Sequence, residues 1–365
     1  AAQRTAFLRD GAPTADQRRA DLQKLRQAVT SRRQEIEQAI DADFGHRSRH
    51  ETAMMELLSL TQNIDYMRRN LRRFMRPRRR HASLVFGPGR ARIEYQPLGV
   101  VGIMSPWNYP IVLALAPLVT AIAAGNRAMI KPSAFTPRTS VCIQRLLADI
   151  FPEEQAAVVL GDASVGAAFS ALPFDHLLFT GGTQVGRAVM RAASEHLVPV
   201  TLELGGKSPA IVAKGHANER TVGRLVFGKL SNAGQTCIAP DYAFVHEDDV
   251  EAFLALFDQT VQRNYPQGPL SPDYSTIIND RNFGRLRELL EDARQKGARV
   301  IEVGNRPEAA VGRVRTLPPT LIVGATDAMR VMQEEIFGPI LPVRGYRGLD
   351  EVIACVNAHP RPLAL

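Results

Sequence analysis

Hydrophobic and polar positions change their period along the chain. Residues 15–80 repeat apolar side chains at helical spacing among many charges, which predicts amphipathic surface helices. From Gly99 onward, short apolar runs rich in β-branched residues alternate with helical stretches, a pattern typical of buried parallel strands. We expect strands at 99–104, 128–130, 158–160, 176–180, 210–212 and 242–245, and helices at 111–124, 219–232 and 250–261. This alternation predicts an α/β fold with a doubly wound parallel sheet.

One segment departs from the alternation. Leu84-Val85-Phe86 and Arg92-Ile93-Glu94-Tyr95 flank the turn-forming run Gly87-Pro88-Gly89. Two short runs on either side of a glycine-proline turn are typical of a β-hairpin. We therefore expect a hairpin near 83–96.

The composition is that of a folded enzyme. A chain of 365 residues with 45% hydrophobic and 22% charged residues is long enough for two domains, and this balance excludes disordered and fibrous classes. The formal net charge of +8 comes in part from the arginines between Arg68 and Arg80. Few aromatic residues lie among them, so a solvated or subunit-facing helix face is favoured over a nucleic-acid or membrane site. Dinucleotide phosphates suffice as the anionic partner.

The cysteines indicate a reducing compartment. Three cysteines are an odd number in a long chain, which argues against a disulfide framework. Cys142 and Cys355 have apolar neighbours and are expected in the core. No signal segment is apparent, and the apolar run 111–124 is too short to cross a membrane, so we expect a cytoplasmic protein.

The third cysteine, Cys237, has a different setting. It lies among small residues in the stretch from Ser231 to Tyr242, after a helical pattern and shortly before Pro240. A thiol at such an element boundary is accessible to a substrate, and its thiolate is a strong nucleophile. A structural role for Cys237 is the less favoured interpretation.

Two other stretches supply the groups that a thiol nucleophile needs. Glu203 lies between two leucines and before Gly205-Gly206, where partial desolvation makes a carboxylate a better base. Asn108 precedes Pro110 and an apolar run, so its amide is expected at a helix start, where it can donate to an oxyanion.

A glycine turn predicts a phosphate site. Gly181, Gly182 and Gly186 follow a predicted strand and precede a helical stretch, where glycines let the backbone approach a phosphate. The spacing differs from Gly-x-Gly-x-x-Gly, so the signal is weak by itself. On a generic dinucleotide interpretation Glu203, about twenty residues on, would bind the ribose instead of acting as a base.

A metal site is the less favoured interpretation of one polar cluster. His46 and His50 are four residues apart beside Glu51, but a third ligand and the His-Glu-x-x-His pattern are missing. We expect a polar cluster at a helix end, and no metal.

The stretches around Asn108, Glu203 and Cys237, with the glycine turn and Glu334 to Pro339, resemble the aldehyde dehydrogenase superfamily in motif and order. The forms around Glu203 and Cys237 are most similar to its class 3 branch, especially the coniferyl aldehyde dehydrogenases. The resemblance implies a Rossmann-type cofactor domain at 1–205, with N-terminal helices and an oligomerisation hairpin, and a second α/β catalytic domain at 206–365. Relatives continue past Leu365, so the catalytic domain is expected to be incomplete at its C-terminal end.

The resemblance also implies roles. Cys237 is the nucleophile, Glu203 activates water as general base, and the Asn108 amide with the Cys237 N–H holds the oxyanion. Lys131 contacts the adenosine ribose by this resemblance, although a lysine at a strand end is as often an ordinary solvated charge. Glu335 binds the nicotinamide ribose and Phe337 packs beside the nicotinamide. The implied cofactor-binding residues are Trp107, Lys131, Ser133, Gly161, Gly181, Gly182, Gly186, Leu204, Glu335 and Phe337.

Two departures from the family pattern concern the cofactor. Many relatives have a serine where this chain has Gly182, which removes one phosphate contact. Many have a glutamate that binds the ribose hydroxyls where this chain has Ala134. Without that carboxylate a 2′-phosphate meets less repulsion, so NAD is expected and NADP stays open.

The implied reaction is NAD(P)-dependent oxidation of an aldehyde to the acid through a cysteine thiohemiacetal and thioester. Coniferaldehyde or a related aromatic aldehyde is the expected substrate, and a medium- or long-chain aliphatic aldehyde is the alternative. An acylating enzyme that passes the thioester to coenzyme A is disfavoured by Glu203. A non-catalytic NAD-binding or structural protein is the alternative from another class. The expected assembly is a homodimer or homotetramer, without nucleic acid or membrane.

Overall fold

A computed structural model describes residues 1–305 and 313–365, with Leu84 described by its backbone alone. The α-helices are α1 (Ala2–Asp10), α2 (Ala15–Ser31), α3 (Arg33–Phe44), α4 (Arg49–Glu51), α5 (Ser59–Phe74), α6 (Val112–Ala124), α7 (Pro137–Ala148), α8 (Ala163–Ser170), α9 (Thr183–Ser194), α10 (Glu219–Leu230), α11 (Val250–Asn264), α12 (Asp280–Gln295), α13 (Arg330–Gln333) and α14 (Leu349–Ala358). The strands are β1 (Arg78–Arg80), β2 (Ala91–Ile93), β3 (Val100–Met104), β4 (Arg127–Lys131), β5 (Ala156–Val158), β6 (His176–Gly181), β7 (Val200–Leu204), β8 (Pro209–Val212), β9 (Tyr242–His246), β10 (Arg299–Glu302), β11 (Thr320–Val323) and β12 (Ile340–Tyr346).

The chain forms two compact units. The first contains residues 1–39 and 53–203, and the second contains 40–52 and 204–365. Residues 40–52 join the second unit through hydrogen bonds to a distant loop: the Thr276 hydroxyl donates to the Phe44 carbonyl at 2.7 Å, and the Thr276 N–H donates to the His46 carbonyl at 3.1 Å. The division of roles between 1–205 and 206–365 stays a prediction.

The first unit is built on a sheet with the strand order β5-β4-β3-β6-β7. Strand β3 is parallel to both β4 and β6, with Ile103 opposite Ile130 and Leu178. All five residues of β3 are buried, as its apolar sequence predicts for a central parallel strand. Because β4 and β6 continue on opposite sides of β3, the chain reverses direction across the sheet at β3, the position where doubly wound folds bind ligands.

The second unit is built on a sheet with the order β10-β11-β12-β9-β8. Strands β8, β9, β12 and β11 are parallel neighbours, and β10 is antiparallel to β11. One apolar cluster includes Phe253 and Phe257 of α11, and another includes Leu286 and Leu289 of α12. The two clusters cover the sheet with helices, so the predicted second α/β domain is confirmed.

The predicted hairpin is present, but its first strand was placed wrongly. Strands β1 and β2 are antiparallel, with Arg78 opposite Ile93. Leu84–Phe86 is a 3-10 turn instead of a strand. The N–H of Phe86 donates to the Ser83 carbonyl at 2.8 Å and that of Gly89 donates to the Phe86 carbonyl at 2.6 Å. These hydrogen bonds fold the backbone into a turn where the apolar run predicted an extended strand.

The sequence suggested that the arginines between Arg68 and Arg80 share one helical face. The structure shows that they do not. Helix α5 ends at Phe74, before Pro77, and the last three arginines lie on the exposed strand β1. The residue before a proline disfavours the helical conformation, which explains the end of the helix. Arg68 pairs with Asp65 at 3.2 Å and Arg72 pairs with Asp16 at 3.3 Å.

Two further expectations concern the burial of the cysteines and the absence of a membrane-spanning helix. Cys142 is buried, as predicted, and Cys355 is half-buried against the cluster that contains Leu286. No disulfide joins any of the three cysteines, all of which lie in the described residues. Within residues 1–305 and 313–365, none of the helices combines the length and the apolarity that a membrane crossing requires.

Candidate active site

Cys237 lies in a tight turn that follows α10 and the 3-10 turn Ser231–Gly234. The Ala239 N–H donates to the Thr236 carbonyl at 3.0 Å, which closes a turn with Cys237 at its start. The Cys237 side chain is half-buried, whereas the next residue, Ile238, is 60% exposed. The predicted setting of a thiol at an element boundary is therefore confirmed.

The backbone before Cys237 is buried and strained. Ser231–Gly234 forms a 3-10 turn in which Asn232 and Ala233 have φ of 53° and 50°. Non-glycine residues rarely adopt this left-handed conformation, and they hold it only where neighbouring groups fix it. Gln235, fully buried, donates to the Asn232 carbonyl at 2.9 Å and to the Thr276 carbonyl at 3.0 Å.

Asn108 lies in the buried loop between β3 and α6, in the first unit. The N-terminus of α6 is bound by a carboxylate from the π-helical segment Thr52–Leu58: Glu56 Oε2 accepts from the N–H groups of Ile111 at 2.8 Å and Val112 at 2.9 Å. An anion at a helix N-terminus is favourable, and here it fixes the end of the loop that carries Asn108. The predicted placement of the amide just before a helix start is confirmed.

Glu203 differs from the expectation of a desolvated carboxylate. It is the fourth residue of β7, and its side chain is exposed although both neighbours are leucines. The two leucines are themselves only half-buried, so the apolar neighbours do not enclose the carboxylate. A carboxylate open to water can bind the water that a general base activates.

The glycine turn fits a phosphate. Gly182 is the N-cap residue of the twelve-residue helix α9 and makes no side-chain cap bond. A Cβ built on Gly182 would meet nothing within 4 Å, so the approach to the helix start is open. The first N–H groups of a helix have no partner within it and attract anions. Gly181 precedes this cap, while Gly186 is buried inside α9.

Lys131, at the carboxyl end of β4, is buried instead of solvated. Its Nζ donates to the carbonyls of Gly161 at 2.7 Å and Pro132 at 2.9 Å. An ammonium has three donors, so one remains for a ligand hydroxyl. Burial lowers the pKa of Lys131 and Asp162 partly opposes that shift. Lys131 therefore fits the ribose of a dinucleotide, with Ser133 half-buried two residues on.

The second unit holds Glu335 beside the glycine pair. The Gly206 N–H donates to the Glu335 carboxylate, and a Cβ on Gly205 would meet Glu335 Oε1 at 2.2 Å. Gly205 therefore leaves the space that this carboxylate occupies. Burial raises the pKa of Glu335 to about 7.

A buried ion pair joins the segments that carry Cys237 and Glu335. Asp241 Oδ2 pairs with the Lys207 ammonium, and Asp241 Oδ1 accepts from the Ile336 N–H at 2.9 Å. The Lys207 ammonium also donates to the Val331 carbonyl at 2.7 Å. One carboxylate thus fixes the Cys237–Tyr242 segment against the segment of Glu335 and Phe337.

Two buried charged side chains were not expected from the sequence. Glu56 is buried in an apolar helical run, and Lys229 is buried at the end of α10. Burial lowers the pKa of Lys229 to about 8. One signal in the sequence could have predicted a buried charge: a charged residue among apolar neighbours, as in Met54-Met55-Glu56-Leu57-Leu58.

Each unit gathers its own predicted residues. In the first unit, Trp107, Asn108, Lys131, Gly181 and Gly182 follow or end the adjacent strands β3, β4 and β6, on the edge where a dinucleotide is expected. Gly161 follows β5 and has a φ of 150°. In the second unit, Leu204 and Phe337 are half-buried, and Phe337 has a φ of 52°.

The polar cluster near residue 50 does not form a metal site. His46 Nε2 lies 2.9 Å from the Pro272 carbonyl, and His50 is 87% exposed. In the part of the chain that the structure describes, no three His, Cys, Asp or Glu side chains are grouped to hold a metal ion.

Comparison with known proteins gives the same family for the whole chain. Residues 1–364 match the model of the aldehyde dehydrogenase family. A probable coniferyl aldehyde dehydrogenase of Pseudomonas aeruginosa is 51% identical over 365 residues, covering all of this chain and 76% of that protein. The coniferyl aldehyde dehydrogenase of Pseudomonas sp. strain HR199 is 46% identical over 360 residues, covering 98% of this chain and 74% of that protein.

Solved structures agree. The substrate-bound state of Staphylococcus aureus AldH superposes with a TM-score of 0.92 at 36% identity, covering 99% of this chain and 78% of that one. A Mycobacterium tuberculosis aldehyde dehydrogenase complexed with NAD+ has a TM-score of 0.85 at 28% identity, covering 97% and 73%.

Proposed function

The chain belongs to the aldehyde dehydrogenase family, and from this membership we propose that it oxidises coniferaldehyde or a related aromatic aldehyde to the carboxylic acid. The activity of an aldehyde dehydrogenase, an oxidoreductase, follows from the family and from relatives that cover the whole chain. The half-buried thiol of Cys237, shortly after the strained turn Ser231–Gly234, is the observation that carries the chemistry. The names of relatives at 46% and 51% identity support the aromatic aldehyde.

In the proposed mechanism Cys237 forms a covalent intermediate. Its thiolate adds to the aldehyde carbon, a carbon–sulfur bond forms, and the carbonyl electrons move to the oxygen. The Asn108 side-chain amide and the Cys237 N–H donate to this oxyanion and stabilise the thiohemiacetal. The thiol is needed because an aldehyde has no leaving group, and the adduct has a carbon that can release hydride.

A nicotinamide cofactor supplies the hydride acceptor when bound. Lys131 would hold its adenosine ribose, the start of α9 its phosphates, and Glu335 its nicotinamide ribose. The open approach to Gly182 and the donor left on Lys131 support this assignment. The exposed Ala134 places no carboxylate near the ribose, so we propose that NADP is accepted alongside NAD.

Glu203 completes the reaction as general base. It removes a proton from water, the hydroxide adds to the thioester carbon, and the Cys237 thiolate leaves to give the acid. The exposed position of Glu203 supports this role, since the attacking water comes from solvent.

The substrate and the cofactor are tested by steady-state kinetics. We expect a higher kcat/KM for coniferaldehyde than for a medium-chain alkanal, and turnover with NADP as well as NAD, followed by absorbance of the reduced cofactor. A higher kcat/KM for the alkanal would replace the aromatic substrate by an aliphatic one. Turnover with NAD alone would reject the inference from Ala134.

A further inference from the structure

The turn before Cys237 needs support from outside itself. Asn232 and Ala233 are left-handed, and all four residues of Ser231–Gly234 are buried. Such a conformation persists only where the surroundings fix it, and strained backbone concentrates at functional sites. The position of the Cys237 sulfur therefore depends on the groups that hold this turn.

Glu51 is one of those groups, although it lies far from the turn in sequence. Its Oε1 accepts from the Asn232 N–H at 2.8 Å, and its Oε2 accepts from the Ser275 hydroxyl at 2.8 Å. Arg47 Nε lies 3.7 Å from Oε2, and the Arg47 side chain has no exposed surface. All of these residues belong to the second unit, so the contact is part of its own packing.

The contact places a carboxylate acceptor at one of the two left-handed residues of the turn. The Asn232 N–H, just after α10 ends at Leu230, donates to Glu51 Oε1. Burial raises the pKa of Glu51, and the Arg47 guanidinium and the bonds from Asn232 and Ser275 oppose that shift. Gln235 fixes the carbonyl side of Asn232, so the peptide groups on both sides of this residue are held.

We infer that Glu51 is a positioning residue for the nucleophile: its carboxylate holds the strained Ser231–Gly234 turn and thereby sets the place of the Cys237 sulfur. The inference rests on the proposed role of Cys237 as the attacking group. It gives a function to the polar cluster near residue 50, in which His46 and His50 take no part.

The test is the rate of the first turnover in Glu51→Ala. A small misplacement of a reacting group costs up to about a hundredfold in rate, so we expect the burst of NADH per active site to form at least about tenfold more slowly. The dissociation constant for NAD is expected to stay unchanged, because the hydrogen bonds described for Glu51 come from Asn232 and Ser275, which are outside the proposed cofactor residues. Hydrogen exchange of a peptide that covers 231–237 is expected to become faster.

Two variants separate positioning from general loss of stability. Glu51→Gln keeps an oxygen acceptor for the Asn232 N–H, and its burst rate is expected within about threefold of the wild type. Asp258→Asn alters a carboxylate that accepts from the Gly304 N–H at 2.7 Å in the same unit, away from the turn. It is expected to keep the wild-type burst rate. If Glu51→Ala does not fold, Glu51→Asp keeps the charge but shortens the reach, and must also slow the burst.

The outcomes are distinct. A wild-type burst rate in folded Glu51→Ala, or in Glu51→Asp if that variant replaces it, overturns the positioning role and leaves the proposed function intact. Absence of any NADH formation in the wild type overturns the proposed function together with this inference. A slow burst with unchanged NAD affinity, and faster exchange at 231–237, supports it.

Discussion

Among the individual side chains, Glu335 is a carboxylate whose ionised form is disfavoured by burial. Its carboxylate lies against Gly205 and accepts from the Gly206 N–H, yet burial outweighs this bond and raises the pKa of Glu335 to about 7. A hydroxyl-rich ligand that donates to the ionised form would offset the lost solvation. This is the behaviour expected of a residue that binds a ribose.

Glu335→Gln is expected to stabilise the protein without ligand, and more at high pH. The folded state binds the Glu335 proton more tightly than the unfolded state, so wild-type stability falls as pH rises from about 4.5 to about 7. The loss of unfolding free energy that the wild type undergoes over this pH range is at most about 3 kcal/mol. Thermal unfolding at pH 5 and pH 8 measures it, with Glu334→Gln as the control, whose carboxylate pairs with Arg330 at 2.9 Å. An equal change of Tm at both pH values in Glu335→Gln would contradict the account.

How far single residues could be predicted depends on the kind of signal. The setting of Cys237 was predictable because small residues between a helical pattern and Pro240 indicate an element boundary. The exposure of Glu203 was not, since sequence neighbours do not show which side chains of other segments cover a strand. The contact of Glu51 with Asn232 joins residues far apart in the chain, and no local pattern encodes it.

At the scale of elements, the start of α9 and the loop after β5 use glycine for different reasons. Gly182 has an ordinary φ of −72° and open space, so it is not required by the backbone. Gly161 has a φ of 150°, and a Cβ there would lie 2.5 Å from Val165. The first glycine opens a ligand approach and the second permits a turn.

A pair of substitutions tests this contrast. Gly182→Ser is expected to raise stability by a few tenths of a kcal/mol, because serine caps a helix better than glycine, and to lower the KM for NAD by restoring a phosphate contact. Gly161→Ala is expected to cost about 1–3 kcal/mol, because the backbone and the contact with Val165 are both strained. Denaturant unfolding and cofactor titration measure the two effects. A destabilised Gly182→Ser would show that the helix start is more crowded than described.

Elements were predictable where the period was long and uniform. The strand β3 and the helix α6 agree with the apolar runs that predicted them, within a residue or two at each end. The strand predicted at Leu84–Phe86 was wrong, because three apolar residues fit a strand and a tight turn equally well. The π-helical segment Thr52–Leu58 has no signature of its own in the sequence, although Glu56 in it binds the start of α6.

For the whole molecule, assembly is the property that the hairpin of β1 and β2 is expected to serve. At its tip Val85 is 86% exposed and Phe86 is 73% exposed, which is unusual for large apolar side chains that lie together. The family resemblance assigns this hairpin to subunit contact, and the expected homodimer or homotetramer stays a prediction.

Phe86→Glu is expected to shift the molecular mass of the wild-type oligomer toward the monomer, because a charge would replace the exposed apolar side chain that the expected subunit contact covers. Light scattering after size-exclusion chromatography measures the mass, and Arg90→Glu, an exposed polar position in the same hairpin, is the control. A monomeric wild type, or an oligomer that Phe86→Glu leaves intact, would reject the role of the hairpin tip.

The boundary between the two units falls directly after Glu203. Of the residues proposed for the chemistry, Asn108 and Glu203 belong to the first unit and Cys237 to the second. The sequence predicted both α/β units from their alternating strands and helices. It did not predict that residues 40–52 join the second unit, because that depends on hydrogen bonds to Thr276, more than two hundred residues away.

The thioester route is tested by the time course of NADH formation with coniferaldehyde in the wild type, Cys237→Ala and Glu203→Gln. Steady turnover is expected in the wild type and none in Cys237→Ala. Glu203→Gln is expected to release about one NADH per active site in a burst and then stop, because the thioester forms but is not hydrolysed. Turnover in Cys237→Ala, or wild-type steady turnover in Glu203→Gln, would contradict the thioester route.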